Sequence, residues 1–412
     1  MKPGYDVIVV GGGAAGMMAA GRAAERGKRV LLLEKNVRLG QKLSITGGGR
    51  CNITNAEENP RLFLAHYGKA EKFLYSAFTQ FGVLQTLTFF ANHSLPIVVQ
   101  AGQRAFPKTE KATDVVKALE KYLQEGKVEV RTKTSASSLL GKSGRVEGIV
   151  AGNQTLTAKS YILATGGQSH PETGSTGDGF KWLAKLDHQV VPPTPTIVPL
   201  AVADAWVQAL AGVALDDVKI TFYVDSKKQL ALKGRILCTH FGLSGPLILN
   251  AAGKVGDMLH AGTVTAAIDA FPKMDLGSLD KYITKIFDEN KNKTFKTVFR
   301  FFAPTGSASE LQKLLPNTMV DKKVHSVSKE ERKVLVNLLK ALPITVTGLM
   351  GYEWAVVADG GLPMTAVDGK TMQSRLYPNL FVTGDLLDIR RPSGGYSLQL
   401  CWTTGYVAGS HA

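Results

Sequence analysis

Three kinds of feature are scarce in this 412-residue chain, and each scarcity excludes a class of protein. It has only three cysteines, Cys51, Cys238 and Cys401, widely spaced and odd in number. That excludes a disulfide scaffold, matches no zinc-ligand spacing and suits a reducing compartment. Long apolar runs are missing. The longest, such as 7–10 and 30–33, have strand length, far short of the roughly 20 residues of a membrane span. No signal peptide precedes the first strand at Tyr5, and the expectation is a cytoplasmic protein with no membrane association. Acidic residues are also few, 34 against 49 basic ones, for a net charge of +15. There is no internal repeat and no low-complexity tract.

The basic surplus is uneven. Between 281 and 340 thirteen basic residues stand against six acidic ones, nearly half the excess in about a seventh of the chain. A polyanion-binding surface has this footprint, and so does a lysine-rich solvated helix face. Otherwise the composition is that of a globular protein, 44% hydrophobic and 20% charged, long enough for two or three domains.

The chain opens with a buried-strand run at 5–10, a glycine turn, an alanine-rich helix at 14–26 and a second strand at 29–34. This is a βαβ unit, and its crossover implies a parallel sheet. The pattern then predicts a glycine-rich basic loop over 38–55, one helix over 69–92 and another over 113–123. A strand follows at 128–131, a hairpin from 144–150 and 154–158, and a strand at 161–165. The prolines of 191–196 cannot belong to a central helix or strand and mark a crossing into a second domain. The organisation expected is an α/β Rossmann-type domain over 1–190 and 346–412, interrupted by a β-rich domain over 191–345. That insert carries a small basic helical subdomain at about 275–340.

Three segments describe one cofactor. Gly11-Gly12-Gly13-Ala14-Ala15-Gly16 satisfies G-x-G-x-x-G between strand and helix. Gly11 allows the tight turn, Gly13 lets backbone approach a pyrophosphate, and Gly16 lets the helix pack on the sheet. Glu34, at the end of the next strand, is placed to bind a ribose. The strand 160–167 ends in Ala164-Thr165-Gly166, a turn that lets the chain pass close to a cofactor. The strand 380–385 ends in Gly384-Asp385, where the aspartate typically holds a ribityl hydroxyl. The three in this order indicate FAD in a two-dinucleotide-binding flavoprotein fold. No second G-x-G-x-x-G follows, so NAD(P)H, if it is the hydride donor, visits transiently on the substrate face. Between the first two segments, Gly47-Gly48-Gly49 exposes amides, while Lys42 and Arg50 add positive charge suited to the pyrophosphate and the flavin N1–C2 edge.

Thr46-Gly-Gly-Gly-Arg-Cys-Asn52, Arg104-Ala-Phe-Pro107, Thr239-His-Phe-Gly-Leu-Ser-Gly-Pro246 and Gly394-Gly-Tyr-Ser-Leu-Gln399 occur in this order. With them the chain resembles the bacterial FAD-dependent oxidoreductases labelled aminoacetone-oxidase-like or bile-acid-reductase-like, a family that includes the ribosomal RNA dihydrouridine synthase of the large subunit. The resemblance runs the whole length, dense over 1–170 and 345–412 and thin over 200–345. It departs at Gly384-Asp385, where many relatives have Gly-Glu, and at Arg390-Arg391-Pro392, which replaces an acidic-glycine turn. The cofactor contacts implied are Gly11, Gly13, Ala14, Ala15, Gly16, Glu34, Lys35, Gln41, Lys42, Thr46, Gly48, Gly49, Arg50 and Asn52. To these are added Val130, Ala164, Thr165, Gly166, Gly384, Asp385, Tyr396, Ser397 and Leu398.

The family's functions differ, so substrate residues are weighed singly. Reduction of a uracil C5=C6 bond needs a hydride at C6 and a proton at C5. Cys51 is either that acid or a small residue packed beside the cofactor. His240 is an acid or anion contact, or a structural histidine in its loop. Tyr396 and Gln399 start the last helix, whose amides either face the flavin N1–O2 edge or are simply capped. Arg390 and Arg391 hold an anionic substrate or are solvated; Arg104 contacts a phosphate or flavin, or forms a buried pair. The charge favours NAD(P)H-dependent reduction of uridine in ribosomal RNA over a small-molecule amine oxidase or enone reductase. A flavin-carrying RNA-binding module without turnover is disfavoured by the intact flavin-facing blocks. No stable protein partner is implied.

Overall fold

The computed structural model describes residues 4–412. The chain divides into two compact units. One ends at Pro195 and resumes with Ala355–Ala412; the other is Thr196–Trp354.

The first unit is built on a five-stranded parallel sheet. Its strands are β1 (Tyr5–Val10), β2 (Val30–Leu33), β3 (Glu129–Arg131), β4 (Ala158–Leu163) and β5 (Leu380–Val382), in the order β5-β4-β1-β2-β3. The central strands read as unbroken apolar runs because both faces are covered: Val7, Ile8, Val9, Leu31, Leu32, Ile162 and Leu163 are fully buried. Helix α1 (Ala14–Glu25) crosses from β1 to β2, and the chain's last helix, α2 (Tyr396–His411), packs on it. That contact is backbone to backbone. A side chain at Gly405 or Gly409 would collide with the carbonyl of Ala15 or Ala19, which explains the run of small residues along α1.

Local details depart from the pattern in the helix of 69–92 and in the hairpin. The helix expected over 69–92 is two, Glu71–Gln80 and Val83–Asn92. The apolar period continues across the break, but Phe81 is non-helical (φ −149°, ψ 85°) and Gly82 begins the next helix as its N-cap. The hairpin gains an earlier strand, Ala136–Lys142, giving a three-stranded meander with Arg145–Ala151 and Gln154–Leu156, while Ala158 joins β4. The proline-rich Val191–Thr196 is extended and pairs only with Val357–Gly361 in a two-stranded ribbon, a setting in which missing amide donors cost little.

The second unit is a closed six-stranded barrel with helices attached. Around the barrel run Leu200–Val202, Gly242–Ser244, Lys227–Thr239, Ala214–Val224, Val264–Asp269 and Leu342–Leu349. The last of these strands runs across the return point expected at 346, and the chain leaves this unit later, after Trp354. The helices between Leu276 and Lys340 enclose a phenylalanine core of Phe287, Phe295, Phe299 and Phe302. Among the described residues no helix is long and apolar enough to cross a membrane.

Candidate cofactor site

Each glycine of the nucleotide turn has a separate cause. Gly11 takes φ +105° and lies against the Ala164 carbonyl, so β1 and β4 meet with no room for a side chain. A Cβ on Gly16 would fall on the Gly11 carbonyl oxygen. Gly13 is different: it is extended (φ −83°) and a side chain there would meet nothing within 4 Å. This is open space at the N-terminus of α1, whose first amides have no side-chain cap. Such an end donates hydrogen bonds and a positive dipole to an anion.

Glu34 is buried at the tip of β2. Its Oε2 accepts from the Gly12 amide at 2.7 Å and its Oε1 from the Asn36 amide at 2.8 Å. The carboxylate is thereby locked in place, and each oxygen keeps acceptor capacity for a hydroxyl. Lys35 turns aside to Thr176 and Asp178, at 2.7 and 3.0 Å. Val130 sits on β3 opposite Leu32, partly exposed.

The glycine loop has the geometry of a cradle. Gly47, Gly48 and Gly49 all have positive φ, and at Gly48 and Gly49 a Cβ would meet nothing within 4 Å. Gln41 is exposed on the short helix Gln41–Ile45, and the Thr46 hydroxyl donates to the Leu43 carbonyl. Two buried polar atoms in this loop lack a partner, Nε of Arg50 and Oδ1 of Asn52. Unsatisfied buried groups cost about 1–3 kcal/mol each, so a donor and an acceptor two residues apart in the loop suit a polar ligand. The charges expected for the flavin edge are spoken for, however. Arg50 lies over Phe106 and binds Gln100 and Glu110 at 2.6 and 2.8 Å. Lys42 binds Ser169 and Asp385, at 2.9 and 3.1 Å.

Asp385 is the hub of the return segment. Gly384 turns with φ +61°, its amide donating to Thr404 Oγ1, and Asp385 follows, paired with both Lys42 and Arg391. Burial pushes the Asp385 carboxyl up, but these two cations and their hydrogen bonds outweigh it and hold it below the usual carboxylate range. Arg391 is thus neither a substrate anchor nor a solvated charge. It is buried, bound also to the Ile389 carbonyl at 2.6 Å and to Ser397 Oγ at 3.2 Å. Arg390 is exposed beside Asp359. Arg104 is exposed too and binds only the Ala101 carbonyl, so the buried pair considered for it does not form.

At the start of α2, Gly394 and Gly395 have φ +118° and +105°, and Gly395 lies against the backbone of Thr54 and Asn55. No side chain caps the amides of Tyr396, Ser397 and Leu398. The Tyr396 ring turns inward among Phe63, His66 and Tyr67. Gln399 is fully buried and ties Thr54, Thr86 and Thr403 together, a packing role that leaves only the helix amides for a ligand.

These features fit FAD. The α1 turn with Gly13 would hold its pyrophosphate, and Glu34 a ribose. The Gly48–Gly49 loop, Ala164 to Gly166, Asp385 and the α2 amides would hold the ribityl and flavin. Bound there, FAD supplies reversible two-electron transfer.

The two residues singled out for proton transfer are placed very differently. Cys51 has no exposed surface and a left-handed backbone (φ +60°), and burial pushes its thiol up to about 12, against a smaller pull from Thr46. A donor works best with a pKa near the working pH, and one without surface has no path to a substrate. This argues for the packing role. His240 lies in the second unit, exposed at the turn between two barrel strands that the Thr239 hydroxyl pins to Gly242. It meets Phe241 edge-on at 4.8 Å, and Phe241 meets Trp354 at 4.7 Å. The partly exposed Trp354 carried no sequence signal, because a lone tryptophan in a loop has no period to read.

In the helical part of the second unit, Lys322 pairs with Glu331 at 2.6 Å and Arg332 with Asp280 at 2.5 Å. Lys340 pairs with Asp269 at 2.7 Å, and Lys313 with Glu310. These pairs leave the net charge unchanged and show which cations of the region are already engaged.

Comparison with known proteins agrees with this fold. The chain is 28% identical over 98% of both lengths to a 3-dehydro-bile acid delta(4,6)-reductase of Clostridium scindens. It is 25% identical to a ribosomal RNA dihydrouridine synthase of Escherichia coli, over 98% of this chain and 96% of that one. Among solved structures, a 3-ketosteroid delta1-dehydrogenase of Sterolibacterium denitrificans superposes with a TM-score of 0.52 at 14% identity, covering 99% of each chain. A flavocytochrome c3 fumarate reductase gives 0.55 at 15% identity, over 100% of this chain and 78% of that one. These are likenesses of fold, the α/β Rossmann-type FAD-binding fold of flavoproteins. The family model described as HI0933-like protein Rossmann domain matches residues 5–411, and the chain belongs to that family of flavoprotein oxidoreductases.

Proposed function

We propose that this protein is a FAD-dependent reductase that converts a uridine of large-subunit ribosomal RNA to dihydrouridine, with NAD(P)H as the transient source of electrons. The observation that carries the reading is the charge. A net +15, with a surplus concentrated in one helical region, has no use in binding a small neutral substrate and a direct one in binding a polyanion. Relatives named as ribosomal RNA dihydrouridine synthases, matched at 25% and 27% over almost their whole length, support the choice. In this reading the glycine loop and α2 amides would orient the cofactor, and the Lys42–Asp385–Arg391 cluster fixes the return segment. His240 is the candidate proton donor, since its imidazole reaches solvent and the Cys51 thiol does not.

A second reading is favoured by one observation, the 28% identity to a bile-acid reductase over the full chain. It makes the substrate an enone within a fused steroid ring system. An amine oxidase of the aminoacetone kind has no comparable support among these relatives. The test is to measure dihydrouridine in large-subunit ribosomal RNA from cells with and without the gene, and to assay the purified protein with NAD(P)H on that RNA and on a 3-keto-4-ene steroid. Loss of one dihydrouridine on deletion supports the first reading. Unchanged RNA together with steroid turnover would replace it by the second.

A further inference from the structure

The helical part of the second unit carries an aromatic ring where packing does not call for one. In the stretch 291–302 the phenylalanines divide by face. Phe295, Phe299 and Phe302 are buried in the local core, whereas Phe301 is 52% exposed. Lys293 lies over its ring, with Nζ 5.2 Å from the centroid. Lys296 and Arg300 are exposed on the same short segment, and no acidic residue stands anywhere between 290 and 309.

A second segment adds to this cluster. The Phe295 amide donates to the Lys322 carbonyl at 2.7 Å and the Val324 amide to the Lys293 carbonyl at 3.0 Å, so that Thr294 pairs antiparallel with Lys323. The backbone of the exposed Lys323 is thereby held next to the segment that carries Lys293. Among the described residues, none of Lys293, Lys296, Arg300 and Lys323 enters an ion pair, in contrast to Lys322, Arg332 and Lys340 nearby. The paired cations hold the helices together, and the unpaired ones stand on the two bridged segments, with Lys293 over the Phe301 ring.

Exposed, unpaired cations on two bridged segments, together with one exposed ring, match the two needs of a single-stranded nucleic acid. Its phosphates need positive charge at intervals, and an unstacked base needs a flat apolar face. Lys293 over the ring adds a cation–π contact that holds the ring in place. A solubilising face has use for the lysines but none for an exposed phenylalanine. From this we infer that Phe301 with Lys293, Lys296, Arg300 and Lys323 forms a docking patch for single-stranded RNA, with a base stacked on Phe301. The inference rests on RNA being the substrate and names the surface that receives it.

The test uses the full-length, FAD-loaded protein and a fluorescent oligouridylate, followed by anisotropy. Phe301→Ala weakens binding about tenfold, the scale of one stacked base, and Phe301→Trp restores it. The triple variant Lys296→Glu, Arg300→Glu, Lys323→Glu lowers the slope of log affinity against log salt by about 2, at roughly 0.7 for each phosphate no longer neutralised. A triple of equal charge change on the barrel, Lys227→Glu, Lys228→Glu, Lys233→Glu, leaves binding near wild type. Heparin, a polyanion without bases, is bound equally by wild type and Phe301→Ala. The patch is wrong if Phe301→Ala binds oligouridylate like wild type, if it loses heparin in equal measure, or if the barrel triple weakens RNA as much as the patch triple. Dihydrouridine formation at limiting ribosomal RNA separates the two levels. Wild-type product with undiminished product from the patch triple discards the patch and keeps the reductase. RNA bound through the patch with no dihydrouridine from wild type keeps the patch and discards the reductase.

Discussion

Gly13 and Gly16 stand three residues apart in one turn, and the structure gives them opposite jobs that a pair of substitutions separates. At Gly13 an added side chain meets nothing within 4 Å and the backbone is already extended, so Gly13→Val changes little in the fold itself. Its cost is the N-cap preference of glycine over valine, up to about 1 kcal/mol. That is a melting shift of roughly 2–4 °C for a domain of this size. The effect on the cofactor is far larger. The valine fills the space in front of the α1 amides, and losing two hydrogen bonds to a charged phosphate is worth roughly 3–6 kcal/mol, or about a hundredfold or more in FAD affinity. Gly16→Ala inverts the pattern. Its Cβ would fall on the Gly11 carbonyl oxygen, well inside the 3.0 Å that such contacts keep, so the turn or the helix must move. Overpacking of that severity costs roughly 3 kcal/mol, or about 6–12 °C, whatever the cofactor content. The assay is the melting temperature of cofactor-stripped protein beside FAD bound per chain after reconstitution, read from the flavin released by acid. Full FAD occupancy in Gly13→Val would refute the placement of the pyrophosphate. A stripped Gly13→Val protein as unstable as Gly16→Ala would refute the division of labour.

Arg391→Met removes a buried cation from Asp385, and breaking such a pair typically costs roughly 3–5 kcal/mol. Because the Asp385 carboxyl is held below its ordinary value, its contribution is present at neutral pH and lost only as pH falls through the depressed folded value. Losing Arg391 raises that value and narrows its gap to the unfolded carboxyl, so melting curves across pH 3–7 should show the variant, less stable at neutral pH, losing less stability on acidification than wild type; an equal acid loss would count against the cluster. Cys51, Cys238 and Cys401 have thiols raised by burial to about 12, 11 and 12, so a thiol reagent at pH 8 should label the native protein slowly and the unfolded protein at once. Cys51→Ala should keep its activity per bound flavin within about tenfold, and a loss of roughly 10²–10⁴, confined to the step in which RNA reoxidises the flavin, would restore Cys51 as the acid.

How much of this was legible in the sequence depends on the distance over which each feature is determined. The βαβ unit, the glycine turn and Glu34 are local. Steric limits on a tight turn and the period of a buried strand act within about thirty residues, so Gly11, Gly13, Gly16 and Glu34 declare themselves in one dimension. The same holds for Ala164 to Gly166 and for Gly384-Asp385, each a strand ending in small residues. The basic surplus of 281–340 is additive, and a count finds it.

What the count cannot show is which charges are already neutralised. Arg391 and Asp385 look like independent loop residues until the fold buries them together, with Lys42 arriving from 343 residues away. Arg50 meets Glu110 across sixty residues, and Lys322 and Arg332 are taken by Glu331 and Asp280. The side chain of Gln399, in the helix start read as facing the flavin or simply capped, enters three buried threonine contacts. The exposure of Phe301 between buried Phe299 and Phe302 likewise depends on how short helices turn, which no period in the segment records. Composition determined that this chain carries positive charge and a nucleotide turn. Burial and pairing, which exist only once distant segments meet, decided which of those residues remain free to act.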